Sequence, residues 1–214
     1  MDKKLTEMTL EEILKETSSD SPAPGGGAIA GLTGSLAAAL GQMVLALSYG
    51  KKAFEALDTD VQEQMKKHDS ELGELQCRLF GIMQEDSEAF LGYMDALKMP
   101  KRSHEEQEDR LDAMQRAAQH SLAVPLECAE RCLSVLELLP LIADNGNKNA
   151  ITDVGVSSLL ACAACESALM NVRINIPSIK NEEIRSKAEK RSEEILDAAK
   201  ELNDQILDVV YSKI

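Results

Sequence analysis

The most regular pattern of apolar and polar positions runs through residues 59–98. One helical face recurs there in alternating steps of four and three, from Val61 to Ile82. The same steps continue to Asp86, so the pattern predicts a long helix with a carboxylate on its packed face. Burial raises the pKa of a carboxyl group and suits it to proton transfer near neutral pH. The alternative is that Asp86 bonds a neighbouring helix, since an unpaired buried charge is costly.

Two other stretches are almost free of charge. Residues 28–48 contain no charged side chain and consist mainly of Ala, Gly and Leu, which predicts a buried helix from residue 28 to about residue 57. Residues 154–172 form a second such stretch, interrupted only by Glu166. The first stretch is long enough to cross a membrane. Because it lacks an aromatic belt and basic flanks, we interpret it as the central helix of a soluble bundle.

Start and stop signals place the remaining elements. Capping-box patterns at Thr9 and Ser103 predict the first turns of two helices, and Asn181 begins a last, strongly charged helix. Pro125 and Pro140 should kink or break the helix that contains them, because proline removes a backbone donor and clashes with the preceding turn.

The fold class follows from these elements. Thr152 or Asp153 is expected to cap the helix of residues 154–172, and residues 173–178 are expected to form an extended connector. No segment alternates as a strand would. We therefore predict an all-α fold: a single domain of residues 1–214, built as a bundle of about seven helices with two central small-residue helices.

Composition narrows the possible functions. The net charge of −14 argues against nucleic-acid binding, and an anionic substrate would need locally placed Lys or Arg. The first residues have no apolar signal-peptide core, so a cytoplasmic protein that does not bind membranes is expected. The five cysteines and three histidines lack a metal-binding spacing. We interpret four of the cysteines as small buried hydrophobic residues and expect no metal site: Cys128, Cys132, Cys162 and Cys165.

Two polar loops are candidate binding elements. Gly25, Gly26 and Gly27 lead into the uncharged helix, and a glycine-rich turn before a helix start offers free N–H groups to an anion. The pattern is neither a Walker loop nor a dinucleotide fingerprint, and a plain turn before a close-packed helix would also explain it. The second loop, residues 144–149, is rich in Asn; a simple connector is the alternative there.

Several motifs in order along the chain resemble the formiminotetrahydrofolate cyclodeaminase and methenyltetrahydrofolate cyclohydrolase family. The chain looks like a stand-alone form of the domain that is fused to a formiminotransferase in animals. Met99 and Thr152 depart from the usual family residues without removing a functional group. The matching motifs are Ser-Pro-Ala-Pro-Gly-Gly-Gly-Ala (21–28), Gly-Lys-Lys (50–52), Asp-Ser-Glu-Ala-Phe (86–90), Met-Pro-Lys (99–101), Val-Pro-Leu (124–126), Asn-Gly-Asn-Lys-Asn (145–149), Thr-Asp-Val-Gly-Val (152–156) and Asn-Val-Arg-Ile-Asn (171–175).

This resemblance implies an all-helical, homodimeric folate enzyme with Asp86 as the catalytic carboxylate. The implied reaction closes 5-formiminotetrahydrofolate to 5,10-methenyltetrahydrofolate with loss of ammonia, as in histidine degradation, and a separate formiminotransferase is a possible partner. It needs no cofactor beyond the tetrahydrofolate substrate. Two alternatives stay open: hydrolysis of methenyltetrahydrofolate to 10-formyltetrahydrofolate, and a folate-binding or scaffold bundle without catalysis.

The candidate substrate-binding residues come from the two loops and from nearby cations. We expect the glycine loop and the Asn-rich loop to shape one folate pocket. The anionic glutamate tail of the folate needs a cation, and the sequence does not rank Lys51, Lys101, Arg102 and Lys148 for this role. The predicted substrate-binding set is Gly25, Gly26, Gly27, Lys51, Lys101, Asn145, Gly146, Asn147 and Asp153.

Overall fold

Seven α-helices make up most of residues 3–214, the part of the chain that the computed structural model describes. Within those residues no β-strand is present, so the all-α prediction is confirmed. Single 3-10 turns lie at Leu5–Glu7, Lys148–Ala150 and Ile176–Ser178. The helices are α1 (Leu10–Thr17), α2 (Gly26–Ala46), α3 (Lys52–Glu55), α4 (Thr59–Lys98), α5 (His104–Asn145), α6 (Ile151–Asn175) and α7 (Glu182–Tyr211).

Helix α2 lies at the centre and packs against α4, α5 and α6, while α6 also packs against α5 and α7. The Ser157 hydroxyl of α6 donates to the Ala37 carbonyl of α2 at 2.7 Å. Near the start of α2, Gly26 faces Asn171 close to the end of α6. The two central small-residue helices therefore pack on each other, as their composition predicted. Residue numbers rise along one helix as they fall along the other, so the two helices are antiparallel.

Glycines in α2 set how closely α4 and α5 approach it. A Cβ atom at Gly31 would lie 2.9 Å from both the Leu79 carbonyl oxygen and the Met83 backbone nitrogen of α4. A Cβ at Gly34 would lie 2.7 Å from the Cys132 sulfur of α5. Those distances leave no room for a methyl group, so any larger residue would push the helices apart.

Helix α2 ends at Ala46, and the prediction of a helix to about residue 57 is wrong. The Ser48 hydroxyl donates to the Val44 carbonyl at 2.7 Å and so satisfies one of the last carbonyls of the helix. Gly50 follows with a φ of +68°, a backbone conformation that glycine adopts without steric cost. This turn redirects the chain into the short helix α3.

Helix α5 continues through both of its prolines, so the break that was one of the two predicted outcomes does not occur. Pro125 is buried where α5 packs against α4, α6 and α7, and this packing outweighs the lost backbone hydrogen bonds. The total of seven helices is therefore reached differently from the prediction. The long helix stays whole, and α3 is separate from α2.

Some of the other predicted helix boundaries are confirmed, and others are wrong. Both capping boxes are present, with Thr9 bonding Glu12 and Ser103 bonding Glu106, and the Asn181 side chain caps α7. Helix α6 instead begins at Ile151, one residue before the cap expected at Thr152 or Asp153. It also extends to Asn175, so residues 173–175 are helical rather than extended.

Two long apolar helical stretches and several cysteines contribute to the core. Gly26–Ala46 and Lys148–Ser178 are long and apolar enough to cross a membrane by length and composition, but about half of each lies buried inside the bundle. Cys128, Cys132 and Cys165 are buried as predicted, whereas Cys162 is only partly buried and that prediction is wrong. Burial raises the pKa of Cys165 to about 12. These thiols behave as small apolar side chains.

Candidate active site

Asp86 lies on α4 one turn beyond the buried Ile82, at the level where α2 begins. The periodicity placed it correctly, since Leu72, Leu79 and Ile82 of the same face are fully buried. Asp86 itself is half-buried, and no side-chain cation pairs with it among the described residues. Its neighbour Glu85 instead pairs with Arg78, with a bond of 2.9 Å between Nη2 and Oε2.

The Asp86 carboxylate rests against the first turn of α2. A methyl group at Gly27 would overlap its two oxygens, so only glycine at this position admits the carboxylate. Gly25 is the N-cap residue of α2 and supplies no side-chain cap, which leaves backbone N–H groups at the helix start. The glycine turn does lie before a helix start, as predicted, and the nearest anion to that start is the protein's own Asp86.

Burial raises the pKa of Asp86 above its usual value, and a hydrogen bond with the Ala28 backbone opposes this with a smaller effect. The desolvation of the carboxylate therefore outweighs its stabilisation by the helix start. A carboxyl group in this state keeps its proton to higher pH than an exposed aspartate does. A raised pKa moves this carboxyl group toward the range in which a side chain can act as a general acid as well as a general base.

A cavity of about 320 Å³ opens in front of Asp86. The glycine loop forms one wall, and the aromatic rings of Phe90 and Tyr93 lie in another. An apolar pocket with a few polar groups suits a flat, partly polar ligand. The remaining lining residues include no Lys or Arg: Pro22, Ala23, Gly25, Gly26, Gly27, Ser87, Met94, Ser121, Asn171, Ile174 and Asn175.

Ser87 is the unusual polar residue of this cavity. Its side chain is 2% exposed, and it is the one buried side-chain polar atom among the described residues without a hydrogen-bond partner. Leaving a buried hydroxyl unpaired costs about 1–3 kcal/mol. An unpaired buried hydroxyl beside a cavity is a candidate for a hydrogen bond to a ligand.

Two asparagines of α6 add further polar groups. Asn171 donates to the Ser167 carbonyl at 2.9 Å, and Asn175 donates to the Ser121 carbonyl at 2.7 Å. Each amide keeps its oxygen available in the cavity wall. Sequence reasoning missed these residues and Ser87 as site residues. The i,i+4 spacing of the asparagines, which puts both on one helical face, was the available signal.

Four of the other predicted site residues lie at the opposite end of α2. Lys51, Asn145, Gly146 and Asn147 line a second cavity of about 270 Å³, together with Lys148. Helix α2 has 21 residues and spans about 30 Å at 1.5 Å per residue. The single folate pocket predicted from both loops is therefore divided in this chain. Lys101 and Asp153 line neither cavity.

The Asn-rich loop uses its polar groups internally. Asn147 donates from Nδ2 to the Leu47 carbonyl at 2.9 Å, and its Oδ1 accepts from the Asn149 backbone at 3.0 Å. Its own backbone N–H bonds the Ser48 hydroxyl at 2.8 Å. A Cβ atom at Gly146 would lie only 2.5 Å from the Ile142 carbonyl oxygen. These contacts fasten the loop to the end of α2, and Lys51 and Lys148 are the charged residues among those that line the second cavity.

Residues 9–194 match the family model described as formiminotransferase-cyclodeaminase. The chain belongs to this family. Within residues 3–214, no group of three or more His, Cys, Asp or Glu side chains is arranged to hold a metal ion. Of the motifs quoted above, the glycine loop and the Asp86 motif lie at one end of α2, and the Asn-rich loop lies at the other.

Named members of the formiminotransferase-cyclodeaminase family include two kinds of enzyme. A methenyltetrahydrofolate cyclohydrolase from Methylorubrum extorquens is 34% identical over 96% of this chain and 97% of its own length. A formimidoyltransferase-cyclodeaminase from Gallus gallus is 34% identical over 94% of this chain, which spans only 36% of that longer protein. The crystal structure of formiminotetrahydrofolate cyclodeaminase from Thermotoga maritima superposes with a TM-score of 0.84, at 26% identity, over 96% of this chain and 97% of that one.

Proposed function

We propose that this protein is a folate one-carbon enzyme that closes 5-formiminotetrahydrofolate to 5,10-methenyltetrahydrofolate and releases ammonia. The half-buried Asp86 carboxyl, whose pKa is raised at the floor of an apolar cavity, is the observation that carries the proposal. Family membership supports the substrate class, because the named relatives act on formimino- and methenyltetrahydrofolate.

The reaction needs one proton moved between two nitrogens. N10 of the substrate attacks the protonated formimino carbon, which forms the second N–C bond and gives a tetrahedral centre. The Asp86 carboxylate takes the proton from N10 and passes it to the exocyclic amine. That C–N bond then breaks, and ammonia leaves with the electron pair while the methenyl cation remains. A carboxyl group with a raised pKa suits both halves of this relay.

The cavity walls supply further contacts under this proposal. We propose that the Ser87 hydroxyl, which has no protein partner, and the amide oxygens of Asn171 and Asn175 bond the pterin ring. Phe90 and Tyr93 offer apolar surface to its flat faces. No cofactor beyond the folate takes part in the proposed step. The protein is proposed to act in the cytoplasm, with a separate formiminotransferase as the source of its substrate.

Methenyltetrahydrofolate cyclohydrolase is the second candidate, favoured by the Methylorubrum relative that matches over nearly its whole length. Water would add to the methenyl carbon while Asp86 takes one of its protons, which gives a tetrahedral carbon that bears a hydroxyl group. Asp86 would return that proton to N5 as the C–N5 bond opens, and the hydroxyl would lose its proton to solvent as the formyl C=O forms. The product is 10-formyltetrahydrofolate. Both reactions pass through a tetrahedral carbon at the same place, so the same cavity and carboxyl serve either.

A paired assay with purified wild-type protein decides between them. One sample receives 5-formiminotetrahydrofolate and is followed for ammonia and for methenyl absorbance; the other receives methenyltetrahydrofolate and is followed for loss of that absorbance. Ammonia release supports the cyclodeaminase. Activity in the second sample alone makes the protein a cyclohydrolase, and folded protein silent in both samples leaves a non-catalytic bundle.

A further inference from the structure

A small apolar cluster lies beside the start of α2, apart from the main core. Its members are Leu5 and Ile13 from residues 3–17, Ala28 of α2 and Met83 of α4. Ile13 is 5% exposed, and the other three side chains are fully buried. Residues 3–17, which we call the N-terminal segment, therefore pack against the two helices whose junction holds the Asp86 carboxylate.

Polar bonds fasten the N-terminal segment to α4. The Leu5 N–H donates to Gln84 Oε1 at 2.6 Å, and Gln84 Nε2 donates to Glu88 Oε1 at 2.8 Å. Within the segment, the Lys3 ammonium donates to Glu12 Oε2 at 2.7 Å, which joins the turn at Leu5 to the start of α1. The segment therefore lies against α4 as one folded unit.

The first turn of α2 has little local stability of its own. Its N-cap residue, Gly25, makes no side-chain bond, and Gly26 and Gly27 follow in the turn. Glycine is a poor helix former, and a helix start without a side-chain cap leaves backbone N–H groups without that partner. Asp86 nevertheless depends on this turn, because its carboxylate lies against Gly27 and bonds the Ala28 backbone. Tertiary packing must therefore hold the turn in place.

We propose that the N-terminal segment holds the first turn of α2 against α4 and thereby positions Asp86, with Leu5 as the positioning residue. The inference rests on the proposed function, in which Asp86 transfers the proton. Leu5 does not line the Asp86 cavity. It acts through the cluster that it shares with Ala28, whose backbone bonds the carboxylate, and with Met83, which lies about one turn before Asp86 on α4. A void at Leu5 would let the turn move and admit water to the carboxylate.

Steady-state kinetics of Leu5→Ala test the positioning role. We expect kcat to fall by roughly tenfold, because a reacting group loses part of its alignment. KM should change by less than about twofold, because Leu5 makes no contact in the cavity. Leu5→Met has a similar volume and should restore most of the lost kcat. A folded Leu5→Ala protein with wild-type kcat, or with a raised KM alone, overturns the proposal.

Two further variants separate positioning from general loss of packing. Leu139→Ala removes an equally buried leucine of the main core and should lose stability while it keeps kcat. A fall in kcat equal to that of Leu5→Ala would overturn the specific role of Leu5.

A milder change applies if Leu5→Ala does not fold. Gln84→Met removes the acceptor of the Leu5 N–H and should lower kcat by about threefold, the effect of one weakened hydrogen bond. Glu88→Ala is the matched control, because it removes the other bond of Gln84 and leaves the bond to Leu5 intact. Equal kcat values for Gln84→Met and Glu88→Ala would overturn the proposal.

Amide hydrogen exchange tests the position of the turn without using activity. In Leu5→Ala, residues 26–31 should exchange about tenfold faster than in wild type, while residues 36–46 of the same helix keep their protection. Leu139→Ala should loosen the later residues instead, because its side chain faces Gly41. Unchanged exchange at residues 26–31 in Leu5→Ala overturns the proposal. If the wild type turns over neither folate, the proposed function fails, while exchange still decides whether the N-terminal segment holds the turn.

Discussion

The two ends of α2 carry similar loops, rich in glycine and small polar residues, but they use their polar groups in opposite ways. At the start of the helix, Asp86 is desolvated and the Ser87 hydroxyl has no partner. At its end, Asn147 satisfies its side-chain donor and acceptor with the backbone of Leu47 and Asn149. The polar groups at the start of α2 thus lower the stability of the fold, whereas those at its end raise it. Unsatisfied groups indicate a ligand site more reliably than polar composition does.

Asp86→Asn should produce the largest effect, because it removes the proton relay at the reactive end. We expect kcat to fall by about 10²- to 10⁴-fold, the usual contribution of a general acid or base. The assay is ammonia release or loss of methenyl absorbance, whichever the wild type shows. Glu88→Gln, at the exposed carboxylate half a turn further along α4, is the matched control and should keep activity. Full activity of Asp86→Asn would remove this carboxyl from the mechanism.

Gly27→Ala should come next, since the added methyl group overlaps the Asp86 carboxylate and must displace it. A displacement of about 1 Å at a reacting group can cost on the order of 10²-fold in rate. Gly92→Ala on α4 is the control, because its methyl group meets no atom within 4 Å and Gly92 does not line the Asp86 cavity. Equal kinetics for the two variants would show that the glycine loop acts only as a turn.

Ser87→Ala should lower kcat/KM by roughly tenfold, the value of one hydrogen bond to bound substrate, without lowering the melting temperature. The hydroxyl has no protein partner to lose. Ser157→Ala makes the contrast, because that buried hydroxyl bonds the Ala37 carbonyl. It should lose stability and keep kcat/KM. A Ser87→Ala protein that is destabilised but fully active would reverse the interpretation of this residue.

Asn147→Ala should act on the fold rather than on the chemistry. Two side-chain hydrogen bonds are lost, and we expect the free energy of unfolding to fall by about 1–3 kcal/mol in urea titrations. The kcat of the folded protein should change little. Asn149→Ala, at an exposed side chain in the same loop, should be close to wild type. A collapse of kcat in a stable Asn147→Ala protein would move the chemistry to this end of α2.

The smallest expected effect is a pH-dependent gain in stability for Asp86→Asn. The native pKa of Asp86 is raised above the value of about 3.9 in an unfolded chain, so ionisation disfavours the fold. The wild type keeps its full stability below that unfolded pKa and loses part of it as pH rises through the native pKa. The melting temperature of Asp86→Asn should exceed that of wild type at pH 7, and the difference should shrink toward pH 4.

Sequence alone identified the helices that packing defines strongly, and it placed Asp86 through the spacing of its helical face. It failed where tertiary packing competes with local preference. Pro125 stays helical inside α5 because its neighbours are buried around it, and no local pattern reports that. Gly50 was a sequence signal for the early end of α2. The uncharged stretch before it nevertheless led to the prediction of a longer helix.

The errors in the predicted site have a different physical cause from the errors in the predicted helices. Both loops were found, but the separation of Lys51 from Gly27 depends on where α2 ends and on the straightness of the helix between them. The missing partner of the Ser87 hydroxyl is a property of the surroundings of one atom. Residue identity and spacing carry no information on which bonds a side chain leaves unmade. The motifs therefore predicted which residues line cavities, but not which of these residues share one cavity.

The glycines that hold α2 against its neighbours also restrict how this sequence can change. Gly27, Gly31 and Gly34 already have the smallest side chain, so every substitution adds atoms where a methyl group would collide. A buried leucine can be replaced by a smaller residue or by one of similar volume. A glycine at these positions can be replaced only by a larger residue. A saturation-mutagenesis map should therefore show three positions, about one helical turn apart, at which alanine is as poorly tolerated as leucine. The space that α4 and α5 leave around α2 therefore determines which residues this helix can carry at these positions.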